Sequence, residues 1–380
     1  MAKIFFSLAG EGRGHATRVR TLVEALRDDH QVTVFAPGEA GVFLLPLYQG
    51  TNVCIRRMPG LQFEYTEDRR IDFRRTIGAG AQYLGQLPRL IRDLERVARE
   101  ERPDLMISDF EPALPRVARK LGIPLLSIDH QHFLSCYDLS SLPIRLRWHA
   151  AYMGWVVRAL VNGQRETVVS SFYFPPLRKG CRSVTQVGVM LRPEVRTASV
   201  FQGSHLVAYW RRFAPPRVMD ALASIGREVR VYGLGVHPRR GGLVFCQIDE
   251  HRFLEDLATC DALISTAGNQ LVGEALFLNK PVLALPEARN FEQYLNAEFL
   301  RLSGAGHAVE LERVTAKDLR LFLDSLDHLR PRIDRPRMDG LQPTLAVIRK
   351  HLPISASARE FRPRGFHQPD RKARSFPVLS

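Results

Sequence analysis

The chain has 380 residues, 45% of them hydrophobic and 25% charged, with a formal net charge of +14. That length exceeds one ordinary α/β core and suits two, and the composition excludes a disordered or fibrous chain. The positive charge points to phosphates, anionic lipid or nucleic acid as partners without choosing among them.

The first 130 residues alternate strand and helix patterns. Lys3–Leu8 is a short apolar run with Glu11 and Arg13 close behind, so it reads as a first strand and not as a signal peptide. A glycine-rich loop, Ala9-Gly10-Glu11-Gly12-Arg13-Gly14-His15-Ala16, leads into a helix over Thr17–Arg27 with Val19, Leu22, Val23 and Leu26 on one face. Gln31–Ala36 is a second strand, stopped by Pro37-Gly38. Residues 82–100 predict an amphipathic helix, and Leu105–Ser108 and Pro124–Asp129 predict buried strands around a helix at Ala113–Leu121. Strands alternating with helices imply a parallel sheet with crossover helices.

Over 142–161, Ile144, Trp148, Tyr152 and Trp155 share a helical face flanked by Arg145, Arg147 and Arg158. Two readings are open for this segment: a core helix of the first domain, or an interfacial helix in peripheral contact with a membrane. No stretch approaches the roughly 20 apolar residues needed to cross a bilayer. Around Val184–Val195 the pattern breaks at Gly188 and Pro193 and reads as a linker. A second series follows, with strands at His205–Trp210, Glu228–Gly233, Leu243–Gln247, Ala262–Ser265 and Pro281–Leu285. The expected domains are 1–188 and 189–352, followed by a basic tail over 353–380 whose Arg, Pro and Ser content reads as disordered.

Cysteines at 54, 136, 181, 246 and 260 form no C-x-x-C pair, which suits a reduced, cytoplasmic chain. The basic stretches Arg330–Arg337 and 359–374 accompany no nucleic-acid motif and read as solvated charge, so no nucleic-acid partner is expected.

Three sequence features carry chemistry. In the first loop, Gly12 and Gly14 let backbone N–H groups approach a ligand at a helix N-terminus, which favours anions. The spacing is G-x-G-x-G, and the second strand ends without an acidic residue for a ribose, so a dinucleotide reading is weakened. His15, where the loop meets the helix, is a candidate general base for an attacking hydroxyl. Asp109, in Ser108-Asp109-Phe110-Glu111-Pro112 beyond a strand end, is a second candidate base or the group that orients His15.

The third feature is Ser265-Thr266-Ala267-Gly268-Asn269-Gln270-Leu271-Val272-Gly273-Glu274, a strand, a small-residue turn and a helix. The turn Ala267, Gly268, Asn269, Gln270 can hold a diphosphate on backbone N–H groups. Glu274 can accept from two ribose hydroxyls, and Glu292 and Gln293 open a later helix suited to sugar hydroxyls. His130 and His132 lack an evident third metal ligand, and the chain holds no Asp-x-Asp, so no metal is expected.

Segment 261–306 resembles the C-terminal donor domain of glycosyltransferase family 28, which includes an enzyme that adds N-acetylglucosamine to a lipid-linked precursor. Gly12-Arg13-Gly14-His15 resembles that family's N-terminal loop, and Val187-Gly188 through Leu191-Arg192-Pro193 its linker. The chain also resembles relatives of that family that share Gly-Glu-Gly-Arg-Gly-His and Ser-Asp-Phe-Glu-Pro.

The resemblance implies a GT-B fold, two doubly wound Rossmann-like α/β domains facing across a cleft. It implies an N-terminal acceptor domain and a C-terminal domain that binds a nucleotide-sugar, here a UDP-sugar such as a UDP-N-acetylhexosamine. No cofactor is expected. The acceptor is expected to be a hydroxyl compound carried on a lipid. Glu274 would bind the ribose, Ala267–Gln270 the diphosphate, Glu292 and Gln293 the sugar, and His15 the acceptor.

The chain departs from the family in the interruption of its glycines by Glu11 and Arg13, and in Tyr209-Trp210-Arg211-Arg212 after the first strand of its second domain. A nucleotide-sugar 2-epimerase and a non-catalytic nucleotide-sugar-binding protein are the alternatives.

Overall fold

The computed structural model describes residues 1–10, 13–61, 73–211 and 213–353. Gly12 and the tail beyond Pro353 lie outside the described residues. The first domain runs β1 (Lys3–Leu8), α1 (Arg13–Leu26), β2 (Gln31–Pro37), α2 (Gly38–Leu47), β3 (Val53–Met58), α3 (Phe73–Glu101), β4 (Leu105–Asp109) and α4 (Ala113–Leu121). It continues through β5 (Leu125–Asp129), α5 (Phe133–Cys136), α6 (Ile144–Leu160), β6 (Glu166–Ser170) and β7 (Val184–Val187). These strands form one parallel sheet in the order β3-β2-β1-β4-β5-β6-β7.

The second domain begins with α7 (Pro193–Thr197), β8 (Leu206–Tyr209), α8 (Pro216–Ala223), β9 (Val229–Tyr232), β10 (Leu243–Cys246) and α9 (Glu250–Thr259). It goes on through β11 (Ala262–Ser265), α10 (Asn269–Phe277), β12 (Val282–Ala284), α11 (Phe291–Ser303), β13 (Gly306–Ala308), α12 (Ala316–Asp324) and α13 (Leu326–Leu329). Its parallel sheet has the order β10-β9-β8-β11-β12-β13.

The strand patterns explain why these segments pair. In β1, β4, β5 and β11 the side chains are buried on both faces apart from Lys3, as in a parallel sheet covered by helices on each side. On α1, Val19, Leu22, Val23 and Leu26 are all buried, as their spacing predicts. In both sheets the strand order reverses beside the first strand, between β1 and β4 and again between β8 and β11. Ligands of open α/β sheets bind in the crevice at such switch points, beyond the carboxyl ends of the strands.

Elements that are poorly patterned escape the sequence. Edge strand β3 buries only Val53 fully, and β7, read as linker, is the other edge of the first sheet.

The last helix is a correction. Grouped with the second domain by the boundary at 189–352, α14 (Leu341–His351) instead inserts Leu341, Leu345, Val347 and Ile348 into the core beneath β1, β2 and α1. The chain returns through a close backbone crossing: Val189 pairs with Asp339, and the Gly340 N–H donates to the Val189 carbonyl at 2.9 Å. A Cβ at Gly188 would lie 2.2 Å from the Met338 carbonyl oxygen, and one at Gly340 would lie 2.0 Å from that of Gly188. Only glycine permits the two connections to cross there.

Between the domains, Phe133 meets Phe299 of α11 edge-on at 5.2 Å, and Tyr173 stacks on the same ring at 4.9 Å. These contacts belong to one apolar cluster shared by both domains.

The turn after β5 is held by a buried ion pair. Asp129 accepts from the His132 ring at 2.7 Å, the Ser127 hydroxyl at 2.6 Å and the His132 N–H at 2.8 Å. Burial alone would raise Asp129, but the His132 cation and these donors overcome it and hold the carboxyl at about 2. Burial likewise opposes charge on His132, and Asp129 outweighs it, so the imidazole is held above its ordinary 6.5.

Two outcomes follow. Leu345→Ala, in the returning helix, should destabilise the protein by about 2–5 kcal/mol, read as a lower midpoint in chemical denaturation; an unchanged midpoint would contradict its place in the first domain's core. For the ion pair, the raised His132 adds stability that is complete below pH 6.5 and fades as pH rises through its folded value. Asp129 adds stability that is complete above its ordinary 3.8 and fades as pH falls toward about 2. Melting temperature should therefore decline above pH 6.5, and His132→Gln should remove that part of the slope while lowering stability by about 3–5 kcal/mol.

Candidate active site

His15 lies in the first turn of α1, beyond β1, and Asp109 closes β4. Because Leu8 pairs with Asp109 across these strands, the helix that follows β1 starts beside the carboxylate. His15 Nδ1 is 2.9 Å from Asp109 Oδ1. A carboxylate only accepts, so in the neutral ring the N–H directed at Asp109 is that of Nδ1 and Nε2 is the acceptor nitrogen. The Gln131 amide nitrogen lies 3.4 Å from that Nε2, on its donor side.

Sequence reasoning missed Arg18, one turn further along α1. Its Nε donates to Asp109 Oδ2 at 2.9 Å and its Nη2 to Oδ1 at 3.2 Å. A buried carboxylate needs such a partner, and the two bonds fix the plane of Asp109. Three donors now occupy Asp109, which is buried, so its geometry suits orienting His15 and not abstracting a proton itself. The only sequence signal for Arg18 was its place three residues after His15, on the same helical face.

The rest of Ser108–Pro112 builds the support. Phe110 takes a left-handed φ of 57°, which turns the chain sharply after Asp109. Glu111 then doubles back to accept the Ala113 and Leu114 N–H groups at 2.6 and 2.9 Å, capping α4. Burial pushes the Glu111 carboxyl up.

Across the cleft, β11 runs into the turn Thr266–Gly268 and α10. Ala267 has a left-handed φ of 62°, and its carbonyl accepts from the Asn296 side chain of α11 at 3.0 Å. The N-cap of α10 is Gly268, and no side chain caps the helix, so the N–H groups of the first turn point outward. A Cβ on Gly268 or on Gly14 would meet nothing within 4 Å. Neither glycine is demanded by packing within the chain, and both leave room at the two helix starts.

The Asn296 amide also ties this turn to the first domain. His130 Nε2 lies 2.9 Å from Asn296 Oδ1, and His130 Nδ1 lies 3.0 Å from the Ser170 carbonyl, which also accepts from Asn269 Nδ2 at 3.1 Å. All of these residues are buried. Burial lowers the His130 pKa, and a neutral ring has one N–H for its two acceptors. His130 and His132 both bond to protein groups, and among the described residues no group of three or more His, Cys, Asp or Glu could hold a metal.

The expected donor residues divide. Glu274 sits one turn into α10, buried, with Oε1 accepting from Gln270 at 2.9 Å and Oε2 from Arg192 of the linker at 3.3 Å. One donor on each oxygen leaves lone pairs for further hydroxyls. The Glu274 carboxylate beside it holds the Arg192 pKa above its ordinary value. Arg192 also lies 3.7 Å from Glu250, which pairs with Arg20 of α1 at 3.2 Å, so charge bridges the two domains.

Gln293 is engaged locally: its Oε1 accepts the Glu287 N–H at 2.8 Å, fixing the loop before α11. Glu292 is exposed, with its charge facing His130. Tyr232, at the end of β9, is core: it is buried and donates to Asp256. Within 142–161, Ala150, Gly154 and Val157 of α6 are core, while the aromatic face is exposed.

Buried Gln131 Oε1, Asn269 Oδ1 and Gln270 Oε1 have no hydrogen-bond partner among the described residues. Native structures rarely leave such atoms without a partner. These three lie beside His15 and along the first turn of α10, the two places where chain chemistry and open space meet.

The profile of the family described as Glycosyl transferase family 1 matches residues 2–327. No curated protein matches the chain. Among solved structures, the glycotransferase of kitacinnamycin is 16% identical, with a TM-score of 0.66 over 93% of this chain and 99% of that one. LpCGTa in complex with UDP is 16% identical, with a TM-score of 0.65 over 93% and 100%. MurG of Acinetobacter baumannii is also 16% identical, with a TM-score of 0.62 over 92% and 100%. The paired sheets, their switch points and the family match agree: this chain belongs to glycosyl transferase family 1 and is a glycosyltransferase of the GT-B fold that uses a nucleotide-sugar donor.

Proposed function

We propose that the protein transfers a hexosyl or N-acetylhexosaminyl group from a UDP-sugar to an acceptor hydroxyl, without a divalent metal. The observation that carries this reading is the convergence of His15, oriented by Asp109, and the uncapped N-terminus of α10 on one cleft. UDP as nucleotide draws support from the fold it shares with LpCGTa, which was solved with UDP. The lack of Asp-x-Asp and the uncapped N-terminus of α10 support charge neutralisation by the protein itself.

In this mechanism the acceptor oxygen attacks the anomeric carbon while His15 Nε2 takes its proton. The bond from that carbon to the phosphate oxygen breaks, and UDP leaves with the electron pair. Asp109 stabilises the imidazolium that forms, and Arg18 keeps Asp109 in plane. The N–H groups of Asn269, Gln270 and Leu271 face the charge growing on the diphosphate, where preorganised dipoles act most strongly. Glu274 binds the ribose, with Gln270 and Arg192 holding it in place, and Glu292 contacts the sugar. Gln293 acts by fixing the loop beneath it. The acceptor hydroxyl is carried on a lipid, a reading that the exposed aromatic face of α6 beside the cleft supports.

Thermal-shift titrations with UDP, GDP, dTDP and NAD test the donor site. UDP at about 100 times its Kd should add roughly 2.7 kcal/mol; GDP, dTDP and NAD should add little, and Glu274→Ala should lose the effect. No shift with any nucleotide would refute the reading. His15→Ala should keep the UDP-induced shift but lose about 10²–10⁴-fold in the release of UDP from UDP-sugars. Undiminished release would remove His15 from the chemistry.

A further inference from the structure

Helix α6 packs inward through Ala150, Gly154 and Val157. A Cβ on Gly154 would lie 2.5 Å from the Leu134 carbonyl, so α6 rests directly on α5, the element after the Asp129–His132 turn. At its other contact, His149 stacks on Phe291 at the start of α11, at 3.7 Å. The helix thus forms part of the rim of the cleft.

Its outer face is unlike an ordinary surface. Ile144, Trp148, Tyr152 and Trp155 are 62%, 73%, 65% and 64% exposed. At the 100° per residue of an α-helix they fall within an arc of about 80°. The same geometry places Arg145 along one edge of this stripe and Arg147 and Arg158 along the other, all three exposed. The helix contains no Asp or Glu. Tryptophan and tyrosine suit the polar–apolar boundary of a bilayer, having an apolar body and a polar tip. Arginines beside them suit anionic headgroups.

We propose that this face of α6 docks the protein onto an anionic lipid bilayer, lying in the interface plane, with the cleft opening beside the headgroups. Among the described residues no helix is long and apolar enough to cross a membrane, so the contact is peripheral. A second copy of the chain is a poor occupant. Self-complementary pairing would press the arginine rims together, in a chain that already carries +14. The docking surface is separate from the donor site and stands or falls independently of it.

The test is flotation of the full chain with vesicles of phosphatidylcholine alone and of phosphatidylcholine with phosphatidylglycerol. Trp210, the third of three tryptophans, is fully buried, so a blue shift of emission on adding vesicles reports Trp148 and Trp155. Wild type should float with the anionic vesicles and shift its emission. Binding should weaken as salt rises. The variant Trp148→Ser/Tyr152→Ser/Trp155→Ser should partition about tenfold less or worse, with unchanged melting temperature and an unchanged UDP-induced shift. Arg147→Glu/Arg158→Glu should also weaken binding.

Failure of wild type to float with anionic vesicles would overturn the proposal, as would equal flotation of the triple variant. Dimers that dissociate in the triple variant while vesicle binding is absent would assign the face to a second copy. A retained UDP shift in any of these cases leaves the sugar-transfer reading intact.

Discussion

One side-chain amide joins the halves of this enzyme. Asn296 donates to the carbonyl of Ala267, in the strained turn before α10, and faces His130 of the other domain with its own oxygen. A left-handed alanine is disfavoured by roughly 1–2 kcal/mol, so the turn needs an external hold, and Asn296 supplies it. Because His130 adjoins Gln131, which faces His15, the same node links His15 to the start of α10. Buried at its centre, each polar atom is costly without a partner, so the arrangement specifies one relative placement of the domains instead of a sliding contact.

The covalent connections reinforce that placement. The linker and the returning chain cross at Gly188 and Gly340 with backbones in contact, and α14 then completes the core of the first domain. A GT-B enzyme must hold donor and acceptor in register while leaving the cleft accessible. Here the two connections sit together at one end, and Phe133, Tyr173 and Phe299 pack the domains beside them. Charge adds to this hold: Arg20 pairs with Glu250, and Arg192 of the linker reaches Glu250 and Glu274. The carboxylate proposed for the ribose therefore belongs to the interdomain ion network. On that proposal, donor binding and domain placement share a group.

The basic character of the chain also divides by location. Arg18 is spent on a buried carboxylate, and Arg192 on Glu274. Arg147 and Arg158 border an aromatic stripe in solvent. The first two are set by the cost of burying a charge, the others by what they face outside the molecule.

What the sequence by itself determined was local. Continuous apolar runs made β1, β4, β5 and β11, and the 3.6-residue period made α1, because these patterns have a single low-energy placement between water and core. The glycine loop before His15 and the small-residue turn before Gln270 were legible because glycine marks backbone that something approaches. The two-domain α/β plan followed from alternation alone. Tertiary structure decided everything that joins residues distant in the chain. Arg18 could be known as a partner of Asp109 only once β1 and β4 were neighbours. Asn296, His130 and Ser170 lie on separate elements of two domains and meet only through the fold. The side of α6 that carries its tryptophans could not be assigned from periodicity, which gives a shared face but not whether that face meets core or solvent. The return of α14 left no local sign, because a helix with one apolar stripe packs equally well on either domain; the close crossing of Gly188 and Gly340 chose the first.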